Sequence, residues 1–461
     1  MAIDLTKPLD DTVISPQEKS FMQNLQANIL KGHGREHVAL LFLSVKDVGK
    51  ARSFLRAYPV TDSHRQFLET EAFQRTRTPG GVVRLVFLSK TGLGKFGHAS
   101  QFAGFGLFNG GMAADTAVLD AGTTASWQSE LKKPIDVLLL VAYHHETELA
   151  GMVGKMVEDF DEDGSPFEVV FVQEGRANKN SDGEGIEHFG YVDGRSQPLM
   201  IRSAINDEKS KKGGGIGTYD PTAPLGQFVV PDPLAADTFG SFFVFRKLEQ
   251  NVAGFKQAEA ALAKDLGLVN PDDERAGAQV VGRFEDGTPL TLHDVAQGAP
   301  VVNDFDYNGD AAGTRCPFHA HIRKTNPRGS SPGGPAFDKT VQMARRGITY
   351  GCRMQDPVSK ELIDQPNDGV GLLFMSYQAS IEKQFHFMQE SWANNAGFPN
   401  AGVGIDPVIG QLGPQGTAAG QVWFPGYGSP LNPLTKAFHG FVTLKGGEYF
   451  YTPSIKGLKN L

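Results

Sequence analysis

Apolar residues in this chain fall into short runs bounded by glycine, proline and charge, and the runs alternate with stretches of helical spacing. Residues 38–45 (VALLFLSV) predict a buried strand, and 46–57 follow as a helix with Val48, Ala51, Phe54 and Leu55 on one face. Residues 82–88 and 136–143 predict two further strands. The second leads into a helix carried by Leu149, Met152, Val153 and Met156, and 167–172 (FEVVFV) complete the set. Strand, helix, strand, strand, helix, strand is the order of a split β-α-β unit, an antiparallel sheet with helices on one face. The second half repeats this grammar weakly: a strand at 241–245, an alanine-rich helix at 252–266, a strand at 371–376, and a helix from about Ser380 to Ala393. Ile381, Phe385, Met388 and Trp392 share one face of that last helix. Between the halves, 209–217 (KSKKGGGIG) and the proline-rich 221–233 read as linker and surface loop. The expectation is therefore α+β, divided at 1–220 and 221–461.

Composition agrees with a folded chain of more than one small module: 461 residues, 40% apolar, 21% charged and 10% aromatic. Two cysteines, Cys316 and Cys352, exclude a disulfide-built scaffold. A net charge of -8 argues against a basic nucleic-acid surface. No run approaches the 18 or so apolar residues of a membrane-spanning helix. Residues 1–18 carry Asp4, Asp10 and Asp11 and lack the basic start and apolar stretch of a secretory signal. With 55 glycines and 27 prolines, long structured loops are expected.

Four segments could carry chemistry. Gly190-Tyr191-Val192-Asp193-Gly194 reads most simply as a tight turn, because glycine adopts positive φ and aspartate bonds its own backbone. It could equally bring backbone close to a flat ligand and present one carboxylate in a confined space. Residues 315–328 (RCPFHAHIRKTNPR) read either as a basic surface loop or as a strand with His319, His321 and Arg323 on one side. Cys316, His319 and His321 are donors suited to zinc, although the compact fourth ligand is missing. Alternatively one histidine is an axial haem ligand and the cations pair with propionates. The third segment, 343–351 (MARRGITYG), is the basic end of a capped helix or an arginine that stabilises developing negative charge. The fourth is 371–374 with the helix around Trp392 and the following Gly404-Ile405-Asp406-Pro407, whose apolar part reads as core or as a cofactor wall. The 209–217 stretch lacks the Gly-Lys-Ser/Thr ending of a phosphate loop.

Taken together, GYVDG, RCPFHAHIRKTNPR, RRGITYG and GLLFMSYQ, in that order, resemble the dye-decolourising peroxidase family, specifically its fungal type. The resemblance runs from about Asn24 to the end. It implies two ferredoxin-like domains, the distal aspartate motif in the first and haem b (iron protoporphyrin IX) bound in the C-terminal half. It further implies reduction of hydrogen peroxide to water and one-electron oxidation of dyes and phenolic compounds. Carried over position by position, His321 matches the proximal haem ligand, Asp193 the distal aspartate and Arg345 the distal arginine. Arg323 sits where a propionate partner can stand, and Leu372 and Phe374 resemble residues lining the distal pocket. Asp406, with Glu382 in reserve, is the carboxylate expected behind the proximal imidazole. Trp392 and Tyr350 are the candidate surface electron-transfer residues. One departure is Thr349, where relatives commonly have proline. A noncatalytic haem binder would share His321 without needing Asp193 and Arg345, and a zinc hydrolase at Cys316, His319 and His321 is the remaining alternative. The resemblance leans towards an extracellular protein, the N-terminus towards a cytoplasmic one.

Overall fold

The computed structural model describes residues 3–211, 215–413 and 420–461. The strands used below are β1 (His37–Val45), β2 (Val83–Ser89), β3 (Val137–Tyr143), β4 (Phe167–Arg176), β5 (Phe239–Gln250), β6 (Ala344–Arg345), β7 (Ile348–Tyr350), β8 (Gly371–Gln378) and β9 (Val442–Thr452), of which β6 and β7 are short. With the two-residue strand Val230–Pro231 they form one ten-stranded sheet in the order β7-β8-β5-β9-β2-β3-β1-β4. The strand pairings of that sheet are antiparallel. The two sheets expected from sequence are thus continuous, joined where Phe450 and Tyr451 of β9 pair with Ser89 and Leu88 of β2.

The helices used below are α1 (Pro16–Asn24), α2 (Val48–Ala57), α3 (Glu146–Asp161), α4 (Val252–Asp265), α5 (Glu274–Val281) and α6 (His321–Thr325). They begin where side chains can satisfy their first N–H groups. Ser15 and Glu18 form a reciprocal capping box on α1, and Asp47 and Asn251 accept from the first turns of α2 and α4.

The expectation of helices on one face only is corrected by burial. Along β3, Val137, Leu139 and Val141 pack on the face covered by Ala51 and Leu55 of α2 and Leu149, Val153 and Phe160 of α3. Leu138, Leu140 and Ala142 pack on the other, under Phe21 and Met22 of α1 and the segment holding Leu225, Phe228 and Val229. A sheet buried on both faces needs continuous apolar runs, which is why these strands did not alternate. The same packing corrects the surface-loop reading of 221–233: Phe228 is fully buried and its carbonyl accepts from Ser241 Oγ at 2.7 Å. Of the 209–217 stretch, Lys209 and Ser210 end the helix Arg202–Ser210, and residues 212–214 lie outside the described residues.

Candidate active site

A cavity of about 500 Å³ opens between the β4–β5 connection, α6, the β6–β7 turn and one end of β5 and β8. Asp193, His321, Arg345, Leu372 and Phe374 all line it. Residues more than 150 positions apart meet there because the sheet runs through both halves of the chain.

Asp193 is held by backbone. The loop carrying it turns at Gly190 (φ 103°) and Gly194 (φ 80°), conformations that tax any residue with a Cβ. Asp193 N donates to Gly185 O at 2.9 Å, and Glu187 accepts from Phe189 N and Tyr191 N at 2.8 and 3.0 Å. Burial pushes the Glu187 carboxyl up to about 7 despite those hydrogen bonds. Sequence reading passed over Glu187 because one glutamate before a glycine turn carries no pattern.

Arg345 arrives from β6, paired with Ser376 of β8. The capped-helix reading of 343–351 is therefore replaced by two short strands separated at Gly347. Arg345 Nη2 donates to Arg195 O at 2.6 Å and Arg345 N to Gln197 Oε1 at 3.0 Å. Its Nη1 lies 3.9 Å from Asp193 Oδ1, and both side chains remain about a third exposed to the cavity (34% and 37%). The carboxylate and guanidinium are close enough to act on one small molecule and loosely enough paired to receive it. Thr349, the departure from proline, donates its hydroxyl to the Arg176 carbonyl, a bond proline cannot make.

His321 opens α6, so His319, His321 and Arg323 do not share a strand face as the alternation suggested. His321 Nδ1 lies 2.9 Å from Asp406 Oδ2, and an ionised carboxylate only accepts, so Nδ1 carries the proton and Nε2 is the free donor atom. Asp406 is fully buried, with Oδ1 accepting from Val408 N and Ile409 N at 2.8 and 2.9 Å. Burial works against the imidazolium, but the charge and hydrogen bond of Asp406 outweigh it and leave the His321 pKa raised. Glu382, the reserve choice, is elsewhere, accepting from Leu107 N at 2.9 Å.

Several expectations meet a different environment. His319 is buried against Trp423 at 4.3 Å between ring centroids, and burial depresses its pKa to about 3. Among the described residues no group of three or more His, Cys, Asp or Glu is placed to hold a metal, which removes the zinc reading. Arg323 does not reach the cavity: it is 1% exposed, with Nη1 2.9 Å from Asp310 Oδ2 and Nη2 donating to Asp310 O at 3.0 Å. In sequence Arg323 reads as a ligand partner because its buried counter-ion, Asp310, lies 13 positions upstream of it. Trp392 and Tyr350 are not surface residues, at 3% and 4% exposure. Trp392 stacks on Phe398 at 5.2 Å, and Lys247 Nζ covers the Tyr350 ring at 4.8 Å. The helical spacing shared with Ile381, Phe385 and Met388 was a core stripe.

Arg328, one of the cations of the 315–328 segment, lines the cavity, and so does Arg283, which belongs to no motif. Arg328 Nη1 donates to Asn303 O at 2.8 Å, and its Nη2 donates to Ser196 Oγ and Asn303 Oδ1 at 2.6 and 2.7 Å. Arg283 Nη1 donates to Gly287 O and Val302 O at 2.7 and 2.9 Å. Among the described residues neither has a carboxylate in salt-bridge range, and burial lowers both pKa values, that of Arg283 to about 9. Two buried guanidiniums without a counter-ion make one end of the cavity ready for an anion. Only the neighbourhood separates Arg328 from Arg323 and reveals Arg283, since arginine has no distinguishing spacing in sequence.

Comparison with known proteins places the chain. No family model matches the chain. The multifunctional dye peroxidase DyP2 of the bacterium Amycolatopsis sp. is 42% identical, the alignment covering all of both chains, and its solved structure superposes with a TM-score of 0.91. A DyP-type peroxidase from Anabaena sp. is 34% identical over 99% of this chain and 98% of its own, with a TM-score of 0.89. A dye-decolorizing peroxidase of the fungus Exidia glandulosa is 31% identical over 94% of this chain and 86% of its own. The fungal likeness read from the motifs is therefore exceeded by the likeness to these bacterial proteins.

Proposed function

The chain belongs to the dye-decolourising peroxidase family and is a haem peroxidase; on that premise we propose that His321 is its iron ligand, Asp193 and Arg345 its peroxide-handling pair, and haem b its cofactor. The observation that carries this reading is the cavity of about 500 Å³ that His321, Asp193 and Arg345 share, with a buried carboxylate behind the histidine. That volume suits a cofactor-sized molecule.

The residues present fit haem. His321 offers Nε2 with the opposite nitrogen fixed by Asp406, the arrangement that orients a ligating imidazole and strengthens it as a donor. Leu372, Phe374, Phe385 and Met388 supply apolar wall. Arg283 and Arg328, in place of Arg323, are the partners for the propionates, because both line the cavity as buried cations and, among the described residues, neither has a carboxylate in salt-bridge range. Bound haem supplies an iron that peroxide oxidises and that organic donors then reduce one electron at a time.

The protein's part is proton management and charge stabilisation. The Asp193 carboxylate takes the proton from one peroxide oxygen and returns it to the departing oxygen, so that water leaves. Arg345 stays protonated and stabilises the negative charge as the O–O bond breaks. The backbone clamps on Asp193 and Arg345 reduce the reorganisation needed at that moment. Dyes and phenolic compounds are the reducing substrates this reading assigns. A noncatalytic haem binder would leave the Asp193–Arg345 pair without a role.

The strand order supports the finer architecture as well. β2-β3-β1-β4 and β7-β8-β5-β9 have the same internal order, which we read as two ferredoxin-like units within 1–220 and 221–461, haem resting mainly on the second.

Stopped-flow mixing with hydrogen peroxide tests the assignments. Asp193→Asn and Arg345→Leu should each slow the peroxide reaction by about 100-fold or more, while His321→Ala should lose the Soret band through loss of haem. Unchanged peroxide rates in both distal variants would overturn the roles of Asp193 and Arg345.

A further inference from the structure

We propose that Lys324 is a positioning residue that holds Asp406 against His321 and thereby sets the electron-donating strength of that imidazole. The redox consequence rests on the reading of His321 as iron ligand; the positional claim does not.

Lys324 follows His321 by three residues on α6, so both side chains leave neighbouring parts of the same helical face. It is fully buried. Its Nζ donates to Asn395 O at 2.8 Å, Phe398 O at 2.8 Å and Gly404 O at 2.7 Å, which uses all three ammonium hydrogens. Those carbonyls belong to one loop, which leaves the helical turn Met388–Ala393 and ends at Asp406. At its far end Asp406 N donates to Ala393 O at 2.8 Å, closing the loop on itself. α6 therefore supplies both the imidazole that Asp406 contacts and the peg on which the Asp406 loop is wound.

The choice of an ammonium here is informative. Among the described residues it has no salt-bridge partner; burial lowers its pKa to about 8, and the charge of Asp406 opposes that fall. Burying a charge against neutral carbonyls carries a desolvation cost that an apolar side chain of similar length would avoid. Packing alone does not call for lysine. The three hydrogen bonds do, because they stop the loop that ends at Asp406 from swinging.

Two measurements on Lys324→Met test this, with Asp406→Asn as reference. In the haem-free protein with labelled histidine, the parent should give a strongly downfield His321 Nδ1–H resonance that Asp406→Asn abolishes. Lys324→Met should lose it or move it upfield, and a resonance unmoved from the parent position overturns the proposal. In the haem-loaded protein, Lys324→Met should raise the iron reduction potential, as Asp406→Asn does, and the double variant should rise no further than Asp406→Asn alone. Loss of a cation acting only through space lowers the potential, so where Asp406→Asn raises it, a fall or no change in Lys324→Met overturns the proposal. If the haem-free resonance moves while Asp406→Asn leaves the potential unaltered, Lys324 keeps its role and the reading of His321 fails. Should Lys324→Met not fold, Lys324→Gln, which keeps two of the three donors, should move the resonance and the potential in the same directions by less, and no movement of the resonance overturns the proposal.

Discussion

Arg323 and Arg328 stand five positions apart in one basic motif, and replacing each by methionine should break different things. The Arg323 guanidinium binds Asp310, whose carboxylate also accepts from Thr314 N, Arg315 N and Cys316 N at 3.0, 3.1 and 2.9 Å. Arg323→Met leaves that carboxylate buried without its cation, at a cost of about 3–5 kcal/mol. An unfolding entropy of roughly 2.1 cal/mol/K per residue makes this a fall in Tm of about 3–5 °C for a chain of this length unfolding as a unit. Haem affinity should be unaltered, because Arg323 does not line the cavity. Arg328 is held between the Tyr219 and Phe305 rings, 3.9 Å from each centroid, and lines the cavity with no carboxylate in salt-bridge range among the described residues. If a propionate completes it, Arg328→Met forfeits about 2–5 kcal/mol of haem binding, which is roughly a 30-fold to several-thousand-fold weaker Kd. Haem titration of the haem-free proteins at the Soret band, beside calorimetric melting, separates the two. Weakened haem binding in Arg323→Met with parent affinity in Arg328→Met would refute the reasoning.

The remaining expectations are simpler. Trp392→Ser should lose about 3–5 kcal/mol of stability in denaturant titration, the cost of emptying a packed aromatic site, while dye turnover per folded molecule stays within about twofold of the parent; a specific loss of bulky-dye oxidation at parent stability would return Trp392 to an electron-transfer role. Glu187 has a folded pKa of about 7, raised above its unfolded value, so protonation favours the fold. Its stabilising contribution is complete below about pH 4.5 and is lost as pH rises through 7, at most about 3 kcal/mol. Denaturant titrations between pH 5 and 8 should show that slope in the parent and a flatter one in Glu187→Gln; equal slopes would contradict the assignment.

How much of this was legible beforehand differs by kind of feature. The strands of the first half were readable because a sheet buried on both faces writes itself as unbroken apolar runs such as 38–45, bounded by charge and glycine. Asp193, His321, Arg345 and Asp406 could be named because the resemblance fixed their places in long, ordered motifs, and the structure gathers all but Asp406 on one cavity, with Asp406 behind His321. Arg323 and Trp392 were misjudged for one reason: a sequence shows residue type and spacing but not the counter-ion or ring that a side chain will meet.

The sequence alone determined the local conformations, from the glycine turns at 190 and 194 to the apolar faces of α2 and α3. These depend on neighbours a few positions away, where sterics and side-chain periodicity decide. Only the tertiary structure decided that β9 joins β2 into one sheet, which arginines remain without an anion, and that Lys324 winds the Asp406 loop against the His321 helix. Charge compensation and burial depend on distance in space, and the chain sets that distance only once it has folded.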